Sequence, residues 1–179
     1  MKKEIEIKIL NIDPEKLRIN VKKLGGERIF KPILLRELYL ESPSTKRVYS
    51  SFRLRSEGKR SFLTLKMKKE DRQFEIRDEY EVEVSDFGTT RRILELAGFK
   101  VFRQREKMRE SYRVGAIRIE VDTYPEMNPY AEIESANKKD IKKFIEKMGF
   151  ALEYATKKTA TEIIRDAGLN PDNLVFPKK

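Results

Sequence analysis

The chain has 179 residues, enough for one domain with a sizeable core. Charged residues make up 39% of it, well above the roughly 25% typical of soluble domains, so part of the charge is expected to be crowded or enclosed. The sequence contains no Cys, His or Trp, which excludes thiol and imidazole zinc sites, Cys nucleophiles and Ser-His-Asp triads within one chain. Any bound metal must therefore have oxygen ligands, which favours Mg²⁺ or Mn²⁺.

The formal net charge is +10, from 40 basic and 30 acidic residues. The two signs are interspersed, without a block of five like charges, so a nucleic-acid partner is unlikely and the excess instead suits a small anionic ligand. No apolar run approaches the ~20 residues that a membrane helix needs. The start, Met1-Lys2-Lys3, leads directly into an alternating segment rather than a signal peptide. We therefore expect a cytoplasmic protein without a membrane partner.

In chain order, segments with period two alternate with segments of helical period. Helices are predicted from Asp13-Pro14 to Gly25-Gly26, from Asp86 to Gly98 and from Asn137 to Gly149, each with an Asx start and a Gly stop, and a short last helix from Thr159 to Ala167. Strict alternation predicts strands at 4–8, 52–55, 80–84, 118–122 and 132–134. This pattern predicts one α+β domain over 1–179, mostly antiparallel with helices outside, and a peripheral tail at 169–179.

The charged faces of these strands carry acids and bases in separate pairs. Residues i and i+2 of a strand lie about 7 Å apart on one face, where two like charges repel unless a counter-ion neutralises them. For any one strand a solvent-facing polar side is the simpler interpretation, but several such pairs favour an enclosed interior that holds a metal and a polyphosphate. The acidic pairs are Glu4/Glu6, Glu79/Glu81, Glu120/Asp122 and Glu132/Glu134, and the basic pairs are Arg53/Arg55 and Lys107/Arg109.

These motifs resemble a known family. Glu4-x-Glu6-x-Lys8 at the N-terminus is similar to the ExExK signature of the CYTH superfamily, the triphosphate tunnel metalloenzymes. The resemblance covers the chain roughly from Lys3 to Glu162. It continues in family order through Arg53-Leu54-Arg55, Leu63-Thr64-Leu65-Lys66, Glu79-Tyr80-Glu81, Lys107-Met108-Arg109, Val121-Asp122 and Ala131-Glu132-Ile133-Glu134. It implies a closed antiparallel β-barrel of roughly eight strands, a triphosphate tunnel, with helices packed outside.

The resemblance also implies roles for individual residues. The metal, Mg²⁺ or Mn²⁺, would be held by Glu4, Glu6, Glu132 and Glu134. The phosphates would be bound by Lys8, Arg53, Arg55, Lys66, Lys107 and Arg109. The catalytic group would comprise Glu4, Glu6, Lys8, Glu79, Glu81 and Asp122, with Asp122 close to the metal or orienting a basic neighbour.

Other charged and aromatic positions have plainer interpretations. Glu120 is expected at the barrel rim beside Arg118, Glu83 on the surface, Glu75-Ile76-Arg77 in a surface hairpin arm, and Tyr39 in barrel packing. The chain also departs from the family pattern. It has Glu37-Leu38-Tyr39 where an Asp-Thr-Tyr-like stretch is common, and its last helix starts Thr159-Ala160-Thr161 without the usual Tyr. The closure of the tunnel is therefore expected to differ.

Three functions follow from the resemblance and stay open. Hydrolysis of a triphosphate (tripolyphosphate, a nucleoside triphosphate or thiamine triphosphate) is favoured, because it needs only the tunnel. The first alternative is a class IV adenylyl cyclase that makes cyclic AMP and pyrophosphate from ATP. The second is a non-catalytic polyphosphate- or nucleotide-binding protein. Because family members often dimerise, a homodimer also stays open.

Overall fold

The computed structural model describes residues 2–42, 51–150 and 154–177. Their strands are β1 (Lys2–Ile9), β2 (Glu27–Glu41), β3 (Ser51–Glu57), β4 (Arg60–Lys69), β5 (Glu75–Val84), β6 (Lys100–Val114), β7 (Ile117–Thr123), β8 (Tyr130–Ser135), β9 (Ala155–Thr156) and β10 (Asn173–Leu174). The helices in these ranges are α1 (Pro14–Lys23), α2 (Phe87–Leu96), α3 (Lys138–Met148) and α4 (Ala160–Asp166).

The long strands close into a barrel. Within the described residues, eight antiparallel strands follow the order β6-β2-β3-β4-β5-β1-β8-β7, and β7 pairs back with β6. The short strand β9 adds to β1, and β10 runs parallel to β6. The predicted α+β fold, a closed antiparallel barrel with helices outside, is confirmed.

The apolar faces of the strands point outward and form the core under the helices. Ile5 and Ile7 of β1 pack in one cluster with Leu17 of α1 and Phe144 of α3. A second cluster places Leu94 of α2 against strands β2 and β3. Because side chains alternate along a strand, burying the apolar face under the helices turns the charged face into the barrel.

The helices begin at the predicted capping residues. The carboxylate of Asp13 accepts hydrogen bonds from the N–H groups of Glu15 and Lys16, and Asp86 and Asn137 cap α2 and α3 in the same way. Thr159 starts α4 with a reciprocal capping box. These caps satisfy N–H groups that have no partner inside the helix, which explains why the Asx starts predicted the boundaries well.

The C-terminal segment packs against one end of the barrel. Leu174 is buried in a cluster with Tyr124, Tyr130 and Ile164. Arg105 of β6 donates from Nε to the carbonyl oxygen of Pro171 at 2.6 Å. The predicted peripheral tail of 169–179 is therefore partly packed, because it carries an apolar side chain that the barrel end buries. Its last residues, 178 and 179, lie outside the described ranges.

A membrane-spanning helix would have to be long and apolar. No helix in the described part of the chain meets both conditions.

Candidate functional site

A cavity of about 680 Å³ runs inside the barrel. Among the described residues, ten basic and eight acidic side chains line it, so charge dominates its wall. The volume falls within the roughly 300–1,000 Å³ usual for sites that hold an organic ligand. Of the residues predicted for the site, all but Asp122 line this cavity, and Asp122 is fully buried in the wall behind it.

Acidic side chains concentrate on three neighbouring strands, β5, β1 and β8. The register places Glu6 opposite Glu134 and Lys8 opposite Glu132 across the β1–β8 pair. This acidic wall consists of Glu4, Glu6, Glu79, Glu81, Glu132 and Glu134. Strand alternation brings these carboxylates to one side of the cavity, although they come from distant parts of the sequence.

Basic side chains concentrate on the opposite side of the cavity, on strands β6 and β3, which flank β2. The basic wall consists of Arg53, Arg55, Arg103, Arg105, Lys107 and Arg109. Six cations this close would repel one another without anions between them. Strand β2, between the two basic strands, supplies one such anion in Glu37, which is 1% exposed.

Glu37 bonds to both basic neighbours. Its carboxylate accepts a hydrogen bond from Arg53 at 2.8 Å and from the hydroxyl of Tyr39 at 3.1 Å, and it lies 3.8 Å from Lys107 Nζ. Burial opposes its ionisation, but Lys107 and Arg53 outweigh burial and hold the pKa of Glu37 well below its usual range. Glu37 therefore stays ionised and fixes two bases of the wall.

Asp122 on β7 likewise holds two bases of the wall in place. It accepts two hydrogen bonds from Arg109, each 2.6 Å long, and one from Lys107 at 2.7 Å. Burial alone would raise the pKa of Asp122, yet the two cations lower it. This bidentate geometry is typical of an arginine held in a fixed orientation. Of the two roles predicted for Asp122, the contacts match the orientation of basic neighbours.

Ion pairs also join the acidic wall to bases. Lys66 Nζ lies 2.6 Å from Glu4, and Arg109 Nη2 lies 2.6 Å from Glu132. Lys8 bonds to Glu6 and lies 3.8 Å from Glu132. Burial opposes the charge of Lys8, but the carboxylates around it outweigh burial and raise its pKa above the usual range.

Several arginines retain unsatisfied donors. Among the described residues, the buried Nε atoms of Arg53, Arg55, Arg77 and Arg118 have no hydrogen-bond partner, and all four arginines line the cavity. Burial and the neighbouring cations Arg53 and Arg109 lower the pKa of Arg55. An unsatisfied buried donor costs about 1–3 kcal/mol, and an anion in the cavity would relieve that cost.

The family follows from comparison with known proteins. The family model of the CYTH domain matches residues 2–165. The chain belongs to the CYTH family. It is 28% identical over 178 residues to a protein of Methanocaldococcus jannaschii named "Putative adenylate cyclase", covering 96% of this chain and 93% of that protein.

Solved structures support the CYTH fold. A protein of Pyrococcus horikoshii OT3 has a TM-score of 0.74 at 23% identity, covering 93% of this chain and 99% of that chain. A Hippeastrum protein, described as a "putative adenylyl cyclase" with a dominant triphosphatase activity, has a TM-score of 0.64 at 17% identity and covers 95% of this chain and 97% of that chain. At these identities the likeness concerns the fold.

Two expectations about the barrel wall need correction. Glu75 and Arg77 are not in a surface arm: Glu75 is 4% exposed and bonds to Arg77 and, at 2.7 Å, to Lys8. Burial raises the pKa of Glu75 to about 7. Both residues belong to β5, whose charged face continues inward before Glu79.

Glu120 also lies deeper than expected. Glu120 does pair with Arg118, at 2.8 Å, but it also bonds to Arg109, is 8% exposed and lines the cavity. Tyr39 lines the cavity as well, with its ring near the guanidinium groups of Arg103 and Arg105. The expectation that Glu83 is on the surface is confirmed, since it is exposed and pairs with Arg60.

The start of the unusual last helix forms part of the cavity wall. Thr159, Ala160 and Thr161 line the cavity. The hydroxyl of Thr161 accepts hydrogen bonds from Arg103 at 3.2 Å and from Arg105 at 2.9 Å. Two arginines of the basic wall thus fasten the helix start that departs from the CYTH pattern.

The donor chemistry fits a hard divalent metal. Glu4, Glu6, Glu132 and Glu134 lie on the paired strands β1 and β8, face one cavity and offer only oxygen ligands. In the described ranges, no three carboxylates converge on one point as a preformed metal site, since at least three of the four are bonded to Lys66, Lys8 and Arg109. The residue types fit Mg²⁺ or Mn²⁺, and the metal role stays a prediction.

Proposed function

We propose that this protein is a metal-dependent phosphohydrolase that cleaves a triphosphate bound inside the barrel. The observation that carries the proposal is the pair of opposed walls in one cavity, acidic on β5-β1-β8 and basic on β6 and β3 with β2 between them. Phosphoryl transfer depends mainly on positioning and on the neutralisation of developing charge. Both requirements are met by fixed cations opposite carboxylates.

The basic wall would bind the phosphate oxygens. Arg53, Arg55, Lys107 and Arg109 would donate to them, with Glu37 and Asp122 holding three of these bases in place. Because the carboxylates that hold the bases are buried and ionised, the bases are oriented before the ligand arrives. Such preorganisation avoids the cost of arranging the donors during the reaction.

The charge balance supports a metal. The cavity has ten basic and eight acidic lining residues, and Glu37, Glu75 and Asp122 add three buried carboxylates among the described residues. A triphosphate brings about four to five further negative charges, which the bases alone would not offset. Mg²⁺ or Mn²⁺ held by Glu4, Glu6, Glu132 and Glu134 would supply the missing positive charge and polarise the reacting phosphate.

Adenylyl cyclase activity is the second candidate. It is supported by the M. jannaschii relative, which spans nearly the same length and is named "Putative adenylate cyclase". A cyclase would use the same walls but direct a ribose hydroxyl at the α-phosphorus. The Hippeastrum protein of this fold is described as a "putative adenylyl cyclase" with a dominant triphosphatase activity. Hydrolysis remains our first choice because it needs no additional base-binding pocket.

An end-product assay tests the proposal. Purified protein is incubated with Mg²⁺ or Mn²⁺ and with tripolyphosphate, ATP or thiamine triphosphate, while orthophosphate, pyrophosphate and cyclic AMP are measured. We expect metal-dependent orthophosphate release that EDTA abolishes. Cyclic AMP with pyrophosphate from ATP would replace the hydrolase by the cyclase. Tight tripolyphosphate binding without any product would instead leave a non-catalytic binding protein.

A further inference from the structure

Three ion pairs connect the carboxylates predicted for the metal to bases predicted for the phosphates. They are Glu4–Lys66 at 2.6 Å, Glu6–Lys8, and Glu132–Arg109 at 2.6 Å. The side chains are largely buried, with exposed fractions between 2% and 15%. We call these three contacts the cross pairs. In each cross pair, a residue predicted to bind the metal forms an ion pair with a residue predicted to bind a phosphate.

Each cross pair makes binding of the metal and binding of the anion depend on each other. A metal ion that takes the carboxylate of Glu4 competes with the ammonium group of Lys66, which on release loses its 2.6 Å ion pair and retains Glu79 at 3.6 Å. Losing a buried ion pair in this way is unfavourable unless the released group finds a new partner. A phosphate oxygen is such a partner. Conversely, a phosphate that draws Lys66 away leaves Glu4 for the metal.

We infer that the divalent metal and the anion bind cooperatively in this barrel, because each of them competes with the cross pairs for the charged groups that it binds. The inference rests on the proposed function and specifies how its site is loaded. The coupling is reciprocal by thermodynamic necessity: the factor by which the anion tightens metal binding equals the factor by which the metal tightens anion binding.

General attraction between opposite charges in one cavity would also give some coupling. The structure separates the two explanations, because not every buried lysine belongs to a cross pair. Lys107 is paired with Asp122 at 2.7 Å and lies 3.8 Å from Glu37, neither of which is in the predicted metal set. Lys66 and Lys107 are therefore a matched pair of buried cavity lysines with different partners.

The test measures Mn²⁺ binding to the full chain in chloride and in saturating sulfate, at equal ionic strength. Free Mn²⁺ is read from its electron paramagnetic resonance signal, and sulfate stands for the phosphate anion because it binds Mn²⁺ weakly in water. Coupling of the usual size for two linked sites predicts Mn²⁺ affinity at least about five-fold tighter in sulfate. A calorimetric sulfate titration with and without Mn²⁺ should give the same factor.

Two variants then distinguish coupling through the cross pairs from coupling through the general attraction between opposite charges. Lys66→Gln should tighten Mn²⁺ binding in chloride, because Glu4 loses its competing cation, and should reduce the sulfate factor by at least half. Lys107→Gln should leave that factor near the wild-type value, although sulfate itself binds more weakly. Circular dichroism checks that both variants fold, and the wild-type measurement stands even if one does not.

Each outcome has a definite meaning. Equal Mn²⁺ affinity in chloride and sulfate for the wild type would overturn the inference, as would equal loss of coupling in both variants. If metal-dependent turnover is present while the ligands bind independently, the inference fails and the proposed function stands. Absence of Mn²⁺ binding in both buffers would overturn the inference together with the metal assignment.

Discussion

Replacing Glu37 with Gln removes the buried carboxylate that separates the two strands of the basic wall. The change is nearly isosteric, so its main effect is electrostatic. The 2.8 Å hydrogen bond from Arg53 loses its anionic acceptor and becomes at most a bond to a neutral amide oxygen, and Lys107 loses an anion at 3.8 Å. We expect the protein to fold but with lower stability, and with Arg53 less firmly directed toward the cavity.

The size of the expected stability loss follows from the burial of Glu37 and of its two basic partners. The side chains of Glu37, Lys107 and Arg53 are 0%, 4% and 11% exposed, and removing one member of a buried pair costs about 3–5 kcal/mol. Lys107 keeps its bond to Asp122 at 2.7 Å, which favours the lower end, about 3 kcal/mol. For a chain of this length the melting temperature should fall by about 6–12 °C.

The loss of stability in Glu37→Gln should depend on pH in a defined direction. Because the pKa of Glu37 is lowered in the folded protein, its stabilisation is complete above its unfolded pKa, about 4.3, and disappears as the pH falls through the lower folded value. Chemical denaturation should therefore give a constant difference between wild type and variant from pH 7 to about 5. The difference should narrow only at more acidic pH.

A matched substitution on the surface provides the control. Glu83→Gln removes a carboxylate from an exposed pair with Arg60 at 2.7 Å, and we expect an unchanged melting temperature. If Glu37→Gln were as stable as the wild type, or if its deficit narrowed already near pH 6–7, the assignment of Glu37 as the ionised anchor of the basic wall would be wrong.

Four further substitutions probe the site and the scaffold. Arg55→Gln should not lower thermal stability, because burial and neighbouring arginines already disfavour the charge of Arg55. The variant should, however, be stabilised less than the wild type by tripolyphosphate in a thermal shift assay. An equal shift in melting temperature would argue against Arg55 as a phosphate-binding residue. Glu6→Gln should abolish metal-dependent turnover with an unchanged circular dichroism spectrum, whereas full activity would refute its metal role. Gly26→Ala should cost about 1–3 kcal/mol through overpacking, since a Cβ there would lie 2.5 Å from Val114 Cγ2. In contrast, Gly88→Ala meets its nearest neighbour at 3.5 Å and should be neutral or slightly stabilising; equal unfolding midpoints for these two variants would contradict the packing argument.

Much of the fold could be predicted from local patterns. Alternation in β1 separates Ile5 and Ile7, which pack under helices, from Glu4 and Glu6, which face the cavity. Capping residues predicted the helix starts because their hydrogen bonds are local and require only the first turn. The packing of the C-terminal tail was not predictable in this way, since the bond from Arg105 to Pro171 joins segments 66 residues apart.

Most of the candidate site was predictable where like charges recur at i and i+2, whereas Lys8 and Lys66, which also line the cavity, were predicted only through the family resemblance. Glu37 was missed because its partners, Arg53 and Lys107, belong to two other strands that only the closed barrel brings together. Glu75 and Arg77 have opposite charges, so the pattern of like pairs did not include them. The tunnel-facing run of Glu75, Arg77, Glu79 and Glu81 along β5 could have been found by extending the period-two pattern toward the N-terminus of that strand.

The location of the charge changes what the composition means. The net charge of +10 suggested an excess of bases for an anionic ligand, but in the described part of the barrel ten lining bases face eight lining acids and three carboxylates buried in the wall. The site itself is thus close to neutral, and the positive excess lies elsewhere on the chain. Affinity for a polyanion must then come from the separation of the two signs onto opposite walls and from any cation that joins the acidic wall. This reasoning makes the ion pairs between the walls, rather than the total charge, the feature that decides how the tunnel takes up its ligands.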